Sequence, residues 1–423
     1  VPAPMSCHIP DTVHGGGHLP RLGRRGLLLG LTALAVTANA RLAFADTPSP
    51  VQAPGAPRPP QRLVVVILRG AMDGMAALAP YGDANYRELR GSIALPEPGQ
   101  EGGLLDCGGF FGLNPRLVSL HGFFTQGELL PIHAVAGPYR NRSHFEAQDM
   151  MESGAPQRLT SGWLNRALSG MPEPGPSAPE QGIAIGLDLP LLMRGPQHVG
   201  MWAPPRPVRP PPDLYARMAE LLHVDPELGP AVADGLRGRG YATGVLGGDG
   251  MGGNNGGSGF TRLAATAGRL LARDDGPRVA AMEIGGWDTH ADQTRRLTPV
   301  LGQLDDGMAA LRGQLGEAWR HTAVLVMTEF GRTARANGNN GTDHGTGGVA
   351  FLMGGAVSGG RVLADWPGLA EAQLFEKRDL APTRDLRAIA KGLLRDHLRL
   401  SPEAIARACL LYTSPSPRDK RQS

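Results

Sequence analysis

The sequence is poor in residues on which several classes of protein depend. Its three cysteines, Cys7, Cys107 and Cys409, form no CxxC pair, which argues against a zinc knuckle and a redox dithiol. Cys7 lies in a segment that we expect to be removed, so at most one disulfide could form, and two free thiols are the simpler expectation. Aromatic residues make up only 5% of the chain, whereas glycine (61) and proline (38) are abundant, which favours short elements joined by long loops.

Net charge is also nearly absent. The formal charge is +3, but residues 1–45 contain four arginines and one aspartate, so 38 basic residues face 38 acidic ones in the remainder. A neutral chain offers no basic footprint, and we expect no nucleic-acid partner. The glycine-rich stretch 247–259 lacks a Gly-Lys-Ser/Thr ending, so we interpret it as a flexible loop. No strand–GxGxxG–helix unit supports a dinucleotide oxidoreductase.

The N-terminal segment has the features of an export signal. Arg24 and Arg25 precede an apolar run at 27–36, and residues 43–45 (Ala-Phe-Ala) form a small-x-small cleavage site. The run is too short to cross a hydrocarbon core of ~30 Å, although an uncleaved tether is the alternative. The arginine pair favours twin-arginine export, which carries folded proteins. We therefore expect a periplasmic or secreted protein that does not contact the membrane after cleavage.

The rest of the chain alternates apolar strands with amphipathic helices. Apolar and β-branched runs predict buried strands at 63–68, 129–137, 182–186, 279–286, 322–328 and 348–354. Helical spacing of apolar residues predicts helices at 116–124, 143–154, 260–273, 297–315 and 385–398. Because a strand, a helix and a strand follow one another from 279 to 328, we predict a doubly wound, mainly parallel α/β sheet sandwiched by helices.

The composition also divides the chain. Residues 1–45 are the predicted signal peptide, 46–61 a proline-rich linker, 62–400 the folded domain, and 401–423 a tail of different character.

Chemically active side chains follow the predicted strand 322–328. Glu329, Arg332, Asp343 and His344 lie there, separated by glycines and asparagines that permit tight turns. Carboxylates, an imidazole and a guanidinium beyond a strand's carboxyl end are typical of the crevice in an open α/β sheet. The sequence therefore predicts a catalytic or binding site at this edge.

Two further strands lead into candidate metal ligands. Asp288 and His290 follow the strand 279–286, and residues at i and i+2 of an extended segment point the same way. Their donor atoms suit zinc, manganese, iron or calcium, and a solvated loop with an Asp–His hydrogen bond is the alternative. Asp73 lies just past the first strand, where it could be a ligand or a helix N-cap.

Ser143 allows two interpretations. With Glu146 three residues later it forms a capping box, which would account for both residues. Alternatively, its hydroxyl lies at a helix N-terminus between Arg140 and Arg142, where backbone N–H groups and guanidiniums would attract a phosphate or sulfate.

Five motifs together resemble one family. They are Arg69-Gly70 with Asp73-Gly74, then RSHFE at 142–146, GWDTH at 286–290, TEFGRT at 328–333 and GTDHG at 341–345. In this order they resemble the exported bacterial proteins known as domain of unknown function 1501 (DUF1501), over residues 62–398 or so. That family is placed by similarity in the alkaline phosphatase and sulfatase superfamily. The resemblance implies metal ions at the sheet's carboxyl edge and hydrolysis of phosphate or sulfate esters.

The resemblance also implies roles for individual residues. Ser143 would be the nucleophile, Arg142 or Arg332 would neutralise the anionic group, and the metal ligands would come from Asp73, Asp288, His290, Glu329, Asp343 and His344. Phosphatases and sulfatases carry an Asp-His pair where this chain has Glu329-Phe330. The implied cofactor is a divalent metal, zinc, manganese or calcium.

We therefore expect an exported metal-dependent hydrolase acting on a small-molecule or polymer ester. The alternative is a non-catalytic periplasmic binding or assembly protein that retains the sulfatase-like fold and has a protein partner. The departure at Glu329-Phe330 favours this alternative.

Overall fold

Apolar and β-branched runs form an eight-stranded sheet in the computed structural model, which describes residues 59–155, 157–172, 180–204 and 259–408. The eleven strands of the described residues are β1 Arg62–Leu68, β2 Leu78–Ala79, β3 Leu105–Asp106, β4 Gly112–Leu113, β5 Leu129–Ala136, β6 Gly182–Ile185, β7 Val199–Trp202, β8 Val279–Ile284, β9 Thr322–Thr328, β10 Gly348–Met353 and β11 Arg384–Asp385. The main sheet has the order β11-β5-β10-β9-β1-β8-β6-β7, and β2, β4 and β3 form a small antiparallel sheet.

Seven strands of the main sheet run in one direction. β1 pairs in parallel with β8 and β9, β6 pairs in parallel with β7 and β8, and β11 pairs in parallel with β5. Only β10 is antiparallel to both of its neighbours, β9 and β5. The predicted mainly parallel sheet is therefore confirmed.

Helices cover both faces of this sheet. They are α1 Gly74–Ala77, α2 Tyr86–Arg90, α3 Val118–Thr125, α4 His144–Ser153, α5 Trp163–Leu168, α6 Gly259–Ala272, α7 Gln293–Leu315, α8 Leu386–Gly392 and α9 Pro402–Arg407. Short 3₁₀ segments lie at Gly91–Ile93, Leu191–Met193, Gly316–His321 and Glu371–Gln373, and a π-helical turn at Leu393–His397 follows α8.

The alternation of side chains along β1 explains this arrangement. Val64, Val66 and Leu68 belong to the core that contains residues of α3, α6 and α7, whereas the intervening Leu63 and Val65 belong to the core with α5, α8 and α9. All seven residues of β1 are buried. Burying one side chain of this kind stabilises the fold by roughly 1.5–3 kcal/mol. The continuous apolar run at 63–68 thus accounts for a central strand covered on both faces.

The two ends of the chain are described only in part. Residues 1–58 and 409–423, and nearly all of the stretch 247–259, lie outside the described residues, so the predicted signal peptide is not described. All described residues belong to the unit Arg41–Ser423, whereas the unit Val1–Ala40 lies outside them. Past residue 400, α9 packs its Ala404 into the core. Among the described residues, no helix is both long and apolar enough to cross a bilayer.

Cys107 is a free thiol in the structure, and it is buried. Burial raises the pKa of Cys107 to about 12, so the thiol stays protonated at neutral pH. Cys7 and Cys409 lie outside the described residues.

Candidate metal centre

Sheet topology brings five chain segments to one edge. β1, β5, β8 and β9 are co-directional, so the segments that follow them leave the sheet at the same side. β10 runs the other way, so the segment that precedes it arrives at this side as well. These segments carry the polar motifs of the sequence, and carboxyl ends of strands are where sites form in such folds.

Three imidazoles and one carboxylate meet at this edge. Nε2 of His344 lies 3.0 Å from Nε2 of His144 and 3.0 Å from Nε2 of His290. Oδ1 of Asp288 lies 2.9 Å from Nε2 of His290 and 3.3 Å from Nε2 of His344. Oδ2 of Asp288 lies 3.7 Å from Nε2 of His144. We call these four residues the His₃Asp cluster.

Each histidine of the cluster has an acceptor for its other nitrogen. Nδ1 of His144 lies 2.7 Å from Oε1 of Glu329, and Nδ1 of His290 lies 3.1 Å from Oδ1 of Asp343. Nδ1 of His344 lies 3.1 Å from the carbonyl oxygen of Arg142. Carbonyl and carboxylate oxygens only accept, so each Nδ1 is placed to donate its proton, and Nε2 is then the nitrogen that can bind a cation. Such partners are typical of metal-ligating histidines.

The geometry of the His₃Asp cluster fits a small divalent cation. Lone pairs on nitrogens 3.0 Å apart repel one another unless a proton or a metal lies between them. Ligands placed ~2.1 Å from a tetrahedral zinc lie about 3.3 Å apart, close to the separations observed here. Within the described residues, ligand atoms of His144, Asp288 and His344 all lie within 4.8 Å of one another. Nε2 of His290 lies beside them, 3.0 Å from Nε2 of His344.

Glu329 orients the ring of His144 through a hydrogen bond at Nδ1. Its side chain is fully buried. Its Oε1 accepts from the backbone N–H of Gly70 at 2.9 Å and from Nε2 of Gln148 at 3.0 Å, and its Oε2 accepts from the Thr328 hydroxyl at 2.8 Å. Burial alone would raise the pKa of Glu329, but the hydrogen bonds from His144 and Gln148 lower it to about 2. Glu329 is therefore an anion that orients His144 and faces the cluster only through that ring.

Arg332 places a positive charge against the His₃Asp cluster. Its side chain has no exposed area; Nη2 donates to Oδ1 of Asp288 at 2.8 Å, and Nη1 lies 3.4 Å from Nε2 of His290. Burial lowers the pKa of Arg332. Burial would raise the pKa of Asp288, but Arg332 and His290 outweigh it and lower that pKa. The Asp288 carboxylate is therefore ionised and available to a cation.

The pKa values of His144 and His344 are shifted in opposite directions. The hydrogen bond to Glu329 raises the pKa of His144. Burial, together with the neighbouring His144 and Arg332, lowers the pKa of His344. Burial would raise the pKa of Asp343, but its hydrogen bond with His290 helps to lower it.

Asp73 lies outside the His₃Asp cluster. Its Oδ1 caps helix α1 by accepting from the N–H groups of Met75 and Ala76. Its Oδ2 is ion-paired with Arg90 in the interior and accepts from Nε2 of Gln293 at 2.7 Å. The structure thus gives Asp73 the N-cap position that the sequence offered as the alternative to a ligand.

Gln293 ties two of the ligand segments together. Its Oε1 accepts from the hydroxyls of Thr289, at 3.0 Å, and Thr342, at 2.6 Å. Thr289 lies between Asp288 and His290, and Thr342 precedes Asp343. Gln293 is 2% exposed, and its amide nitrogen binds Asp73. A buried network therefore connects the segments after β8 and before β10 to the end of β1.

Ser143 and Arg142 lie beside the cluster in different ways. Ser143 is the N-cap residue of α4, but its side chain makes no capping hydrogen bond, and Glu146 instead accepts from the Tyr139 hydroxyl. The Ser143 hydroxyl contacts that of Tyr139. The Arg142 guanidinium is ion-paired with Asp379 at 2.8 Å and with Glu376, so only its carbonyl oxygen faces the cluster.

His144 was not among the candidate ligands predicted from the sequence. His144 is the first residue of α4 and follows the N-cap serine, a position that a helix alone explains. The signal was present, because the motif RSHFE contains this histidine at the carboxyl end of a strand. Gln293 was also missed, since a glutamine at a helix start carries no chemical signature.

Two solved structures show weak similarity to the chain. The C-terminal periplasmic domain of EcEptC from Escherichia coli, in complex with Zn, is 9% identical with a TM-score of 0.33, and the match covers 70% of this chain and 73% of that one. A TAB5 alkaline phosphatase mutant with Mg bound in the M3 site is 11% identical with a TM-score of 0.32, over 71% of this chain and 92% of that one. No curated protein matches the sequence.

The family is established by sequence. Residues 130–408, about two thirds of the chain, match the model of the family described as "Protein of unknown function (DUF1501)". This span contains all four residues of the His₃Asp cluster and both carboxylates that hold its histidines. The chain therefore belongs to the DUF1501 family, as its motifs predicted.

Proposed function

We propose that the protein is a metal-dependent hydrolase of phosphate or sulfate esters, with the His₃Asp cluster as its metal site. One observation carries this proposal: the Nε2 atoms of three histidines and the Asp288 carboxylate converge, and each histidine has an acceptor at Nδ1. A structural histidine group would not need three matched tautomers. Among the described residues only this cluster has that arrangement.

The donor set favours zinc among the expected metals. Three imidazole nitrogens and one carboxylate are typical zinc ligands, and manganese accepts them less well. Calcium takes six to eight oxygen ligands, which this cluster does not offer. The ligands we assign are His144, Asp288, His290 and His344. Glu329 and Asp343 act by holding two of these rings.

The substrate is inferred from the charge beside the cluster. Arg332 presents a buried guanidinium next to Asp288, and a guanidinium binds phosphate or sulfate oxygens at two points. A bound divalent metal supplies Lewis acidity to an ester oxygen. Arg142 is ion-paired with two carboxylates that lie outside the cluster, whereas the one ion-pair partner of Arg332 among the described residues, Asp288, belongs to the cluster, so we assign anion binding to Arg332.

Ser143 is the proposed nucleophile. Its neighbours on both sides contact the cluster, Arg142 through its carbonyl oxygen and His144 through its ring. In the reaction Ser143 Oγ bonds to phosphorus or sulfur, the ester bond breaks, and the alcohol leaves with a proton. Water then releases the anion and restores the hydroxyl.

The test combines metal analysis with turnover. The purified chain should contain about one equivalent of zinc and hydrolyse para-nitrophenyl phosphate or para-nitrophenyl sulfate, and the preferred ester decides between the two anions. His344→Ala and Asp288→Asn should lose turnover by more than the roughly 10–100-fold typical of partners of metal ligands. His121→Ala, at a half-buried histidine bonded to the Asp106 carbonyl, is the matched control. Full turnover in both site variants would reject the proposal.

We also place this hydrolysis outside the cytoplasm. The support is the sequence at 23–45, where Arg24 and Arg25 precede an apolar run and a cleavage site. Cell fractionation tests it: the intact chain should be found in the periplasm, and Arg24→Lys with Arg25→Lys should retain it in the cytoplasm if the twin-arginine route is used. Unchanged export of the double variant would point to the general secretory route.

A further inference from the structure

A cavity of about 680 Å³ shares helix α4 with the His₃Asp cluster. Phe145 and Gln148 of α4 line it, with Arg69 from the segment after β1 and Arg194 from the segment between β6 and β7. Phe145 directly follows the proposed ligand His144. A cavity of this size accommodates a small molecule or one or two rings of a larger one.

Hydrogen bonds connect the cavity wall to the cluster. Glu329 accepts from His144 at 2.7 Å and from Gln148 at 3.0 Å through the same oxygen. Gln148 in turn accepts from Nη1 of Arg69 at 3.1 Å. Of the lining side chains, Gln148 therefore binds Glu329 directly, and Arg69 is connected to Glu329 through Gln148. The cavity wall and the cluster thus share helix α4 and the hydrogen bonds of Glu329.

The composition of the wall excludes two kinds of occupant. Nine of its 14 residues are charged or polar, which disfavours an acyl chain. Its charged residues are three arginines and five carboxylates, so a polyanion would be repelled. The remaining candidates are neutral molecules rich in hydrogen-bonding groups.

The wall offers both donors and acceptors to such a molecule. Arg194 donates through Nε to the Leu189 carbonyl at 2.8 Å, and no carboxylate pairs with it among the described residues. Asp188, also in the wall, has no ion pair within the described part of the chain. A hydroxyl group both donates and accepts, so neighbouring sugar hydroxyls match such a wall.

Phe145 adds an exposed apolar surface to the cavity wall. It is 85% exposed, the most exposed large apolar side chain among the described residues. An exposed ring on the helix of a metal ligand contributes nothing to the core. The C–H face of a sugar ring packs on such a surface while its hydroxyls face the polar wall.

We infer that the cavity binds the saccharide part of a phosphorylated or sulfated sugar, whose ester group lies at the His₃Asp cluster. This inference rests on the proposed function for the position of the ester, but saccharide binding itself needs no metal. The substrate class is therefore sugars that carry a single phosphate or sulfate ester.

The experiment separates the cavity from the chemistry. Chelator-treated full-length protein is applied to an array of neutral, phosphorylated and sulfated oligosaccharides, and the best probe is titrated against variants. Phe145→Ala and Arg194→Ala should each weaken binding, roughly three- to tenfold for the loss of the ring. Val118→Ala, at another exposed apolar residue outside the cavity, should bind as the parent does. Circular dichroism shows whether each variant is folded.

Three results decide the matter. The inference is overturned if no saccharide binds above background, or if both cavity variants bind as tightly as the parent. Either result overturns it even if para-nitrophenyl esters are hydrolysed. Saccharide binding that is weakened in both variants supports it. If binding behaves in this way but no ester is hydrolysed with zinc present, the hydrolase proposal fails and the saccharide site stands.

Discussion

At the scale of the residue, the centre depends on the second nitrogen of each histidine. His290 directs Nε2 to the cluster because its Nδ1–H has Asp343 as an acceptor at 3.1 Å. Without that acceptor the ring can rotate and exchange its tautomer, and Nε2 is no longer held in place. The acceptor therefore contributes to metal affinity although it need not touch the metal.

Asp343→Ala should weaken zinc binding roughly 10–100-fold. Its side chain is 54% exposed, so the melting temperature of the metal-free protein should stay unchanged. Competition with a chromogenic chelator measures the affinity. Asp306→Ala, at an exposed aspartate of α7, is the control. Equal zinc affinity in the two variants would contradict the role given to Asp343.

Two buried histidines outside the cluster, His133 and His397, have a lowered pKa and contribute to the response to acid. His133 has no exposed area; its Nε2 lies 3.0 Å from the Leu78 carbonyl, and its Nδ1 accepts from the backbone N–H of Ala134. Burial lowers the pKa of His133 from 6.5 to about 4. The unfolded chain therefore binds a proton at higher pH than the folded one, so stability is complete above pH 6.5 and decreases as the pH falls towards 4.

The free energy of unfolding should drop by roughly 3 kcal/mol over this window on account of His133 alone. His133→Gln keeps a donor for Leu78 without a titrating ring, so urea unfolding of this variant should show a flatter profile between pH 6.5 and 4. His121→Gln should leave the parent profile unchanged. Parallel profiles for the parent and His133→Gln would show that His133 does not titrate on unfolding.

Single residues also show what the sequence could and could not predict. That Asp288, His290 and His344 lie together was predictable because strand ends are visible as apolar runs, and polar side chains after them share one edge. The sequence does not say which atom points inward. Glu329 and Asp343 were therefore grouped with the ligands, although the structure places them behind the rings of His144 and His290.

At the scale of the element, the segments at the sheet edge pack backbone against backbone. A Cβ added at Gly341 would lie 2.3 Å from the carbonyl carbon of His290, and one at Gly345 would lie 2.3 Å from that of Arg332. The N–H of Thr342 donates to the carbonyl of Thr289 at 3.2 Å. Glycine is therefore required where the segment before β10 crosses the one after β8.

Gly341→Ala should separate these two segments. We expect a loss of roughly 1–3 kcal/mol in the free energy of unfolding and a loss of zinc affinity of about tenfold or more. Gly338→Ala is a matched control in the same segment, because nothing lies within 4 Å of its added Cβ. Denaturant unfolding and chelator competition give both quantities. Equal behaviour of the two variants would argue against close packing at Gly341.

The elements themselves were largely predictable. The strands at 62–68, 279–284 and 322–328 consist mainly of apolar and β-branched residues, and α7 has regular helical spacing. The antiparallel direction of β10 was not predictable, since its apolar run resembles those of its parallel neighbours. The ion pair of Asp73 was not predictable either, because its partner Arg90 lies 17 residues away in the sequence.

At the scale of the whole molecule, the His₃Asp cluster joins distant parts of the chain. His144 follows β5, Asp288 and His290 follow β8, and His344 precedes β10. Unfolding of the sheet separates all of these ligands. A metal that binds the folded chain alone therefore stabilises the whole domain by mass action.

Zinc at a hundredfold excess over its dissociation constant should stabilise the protein by roughly 2.7 kcal/mol. The melting temperature should rise with zinc, rise less with manganese, and stay constant with calcium, because nitrogen ligands favour metals in that order. A chelator should reverse the rise. His121→Ala should respond as the parent does, whereas His344→Ala should not respond. A rise of equal size in His344→Ala would place zinc elsewhere on the surface and remove the metal centre from the fold.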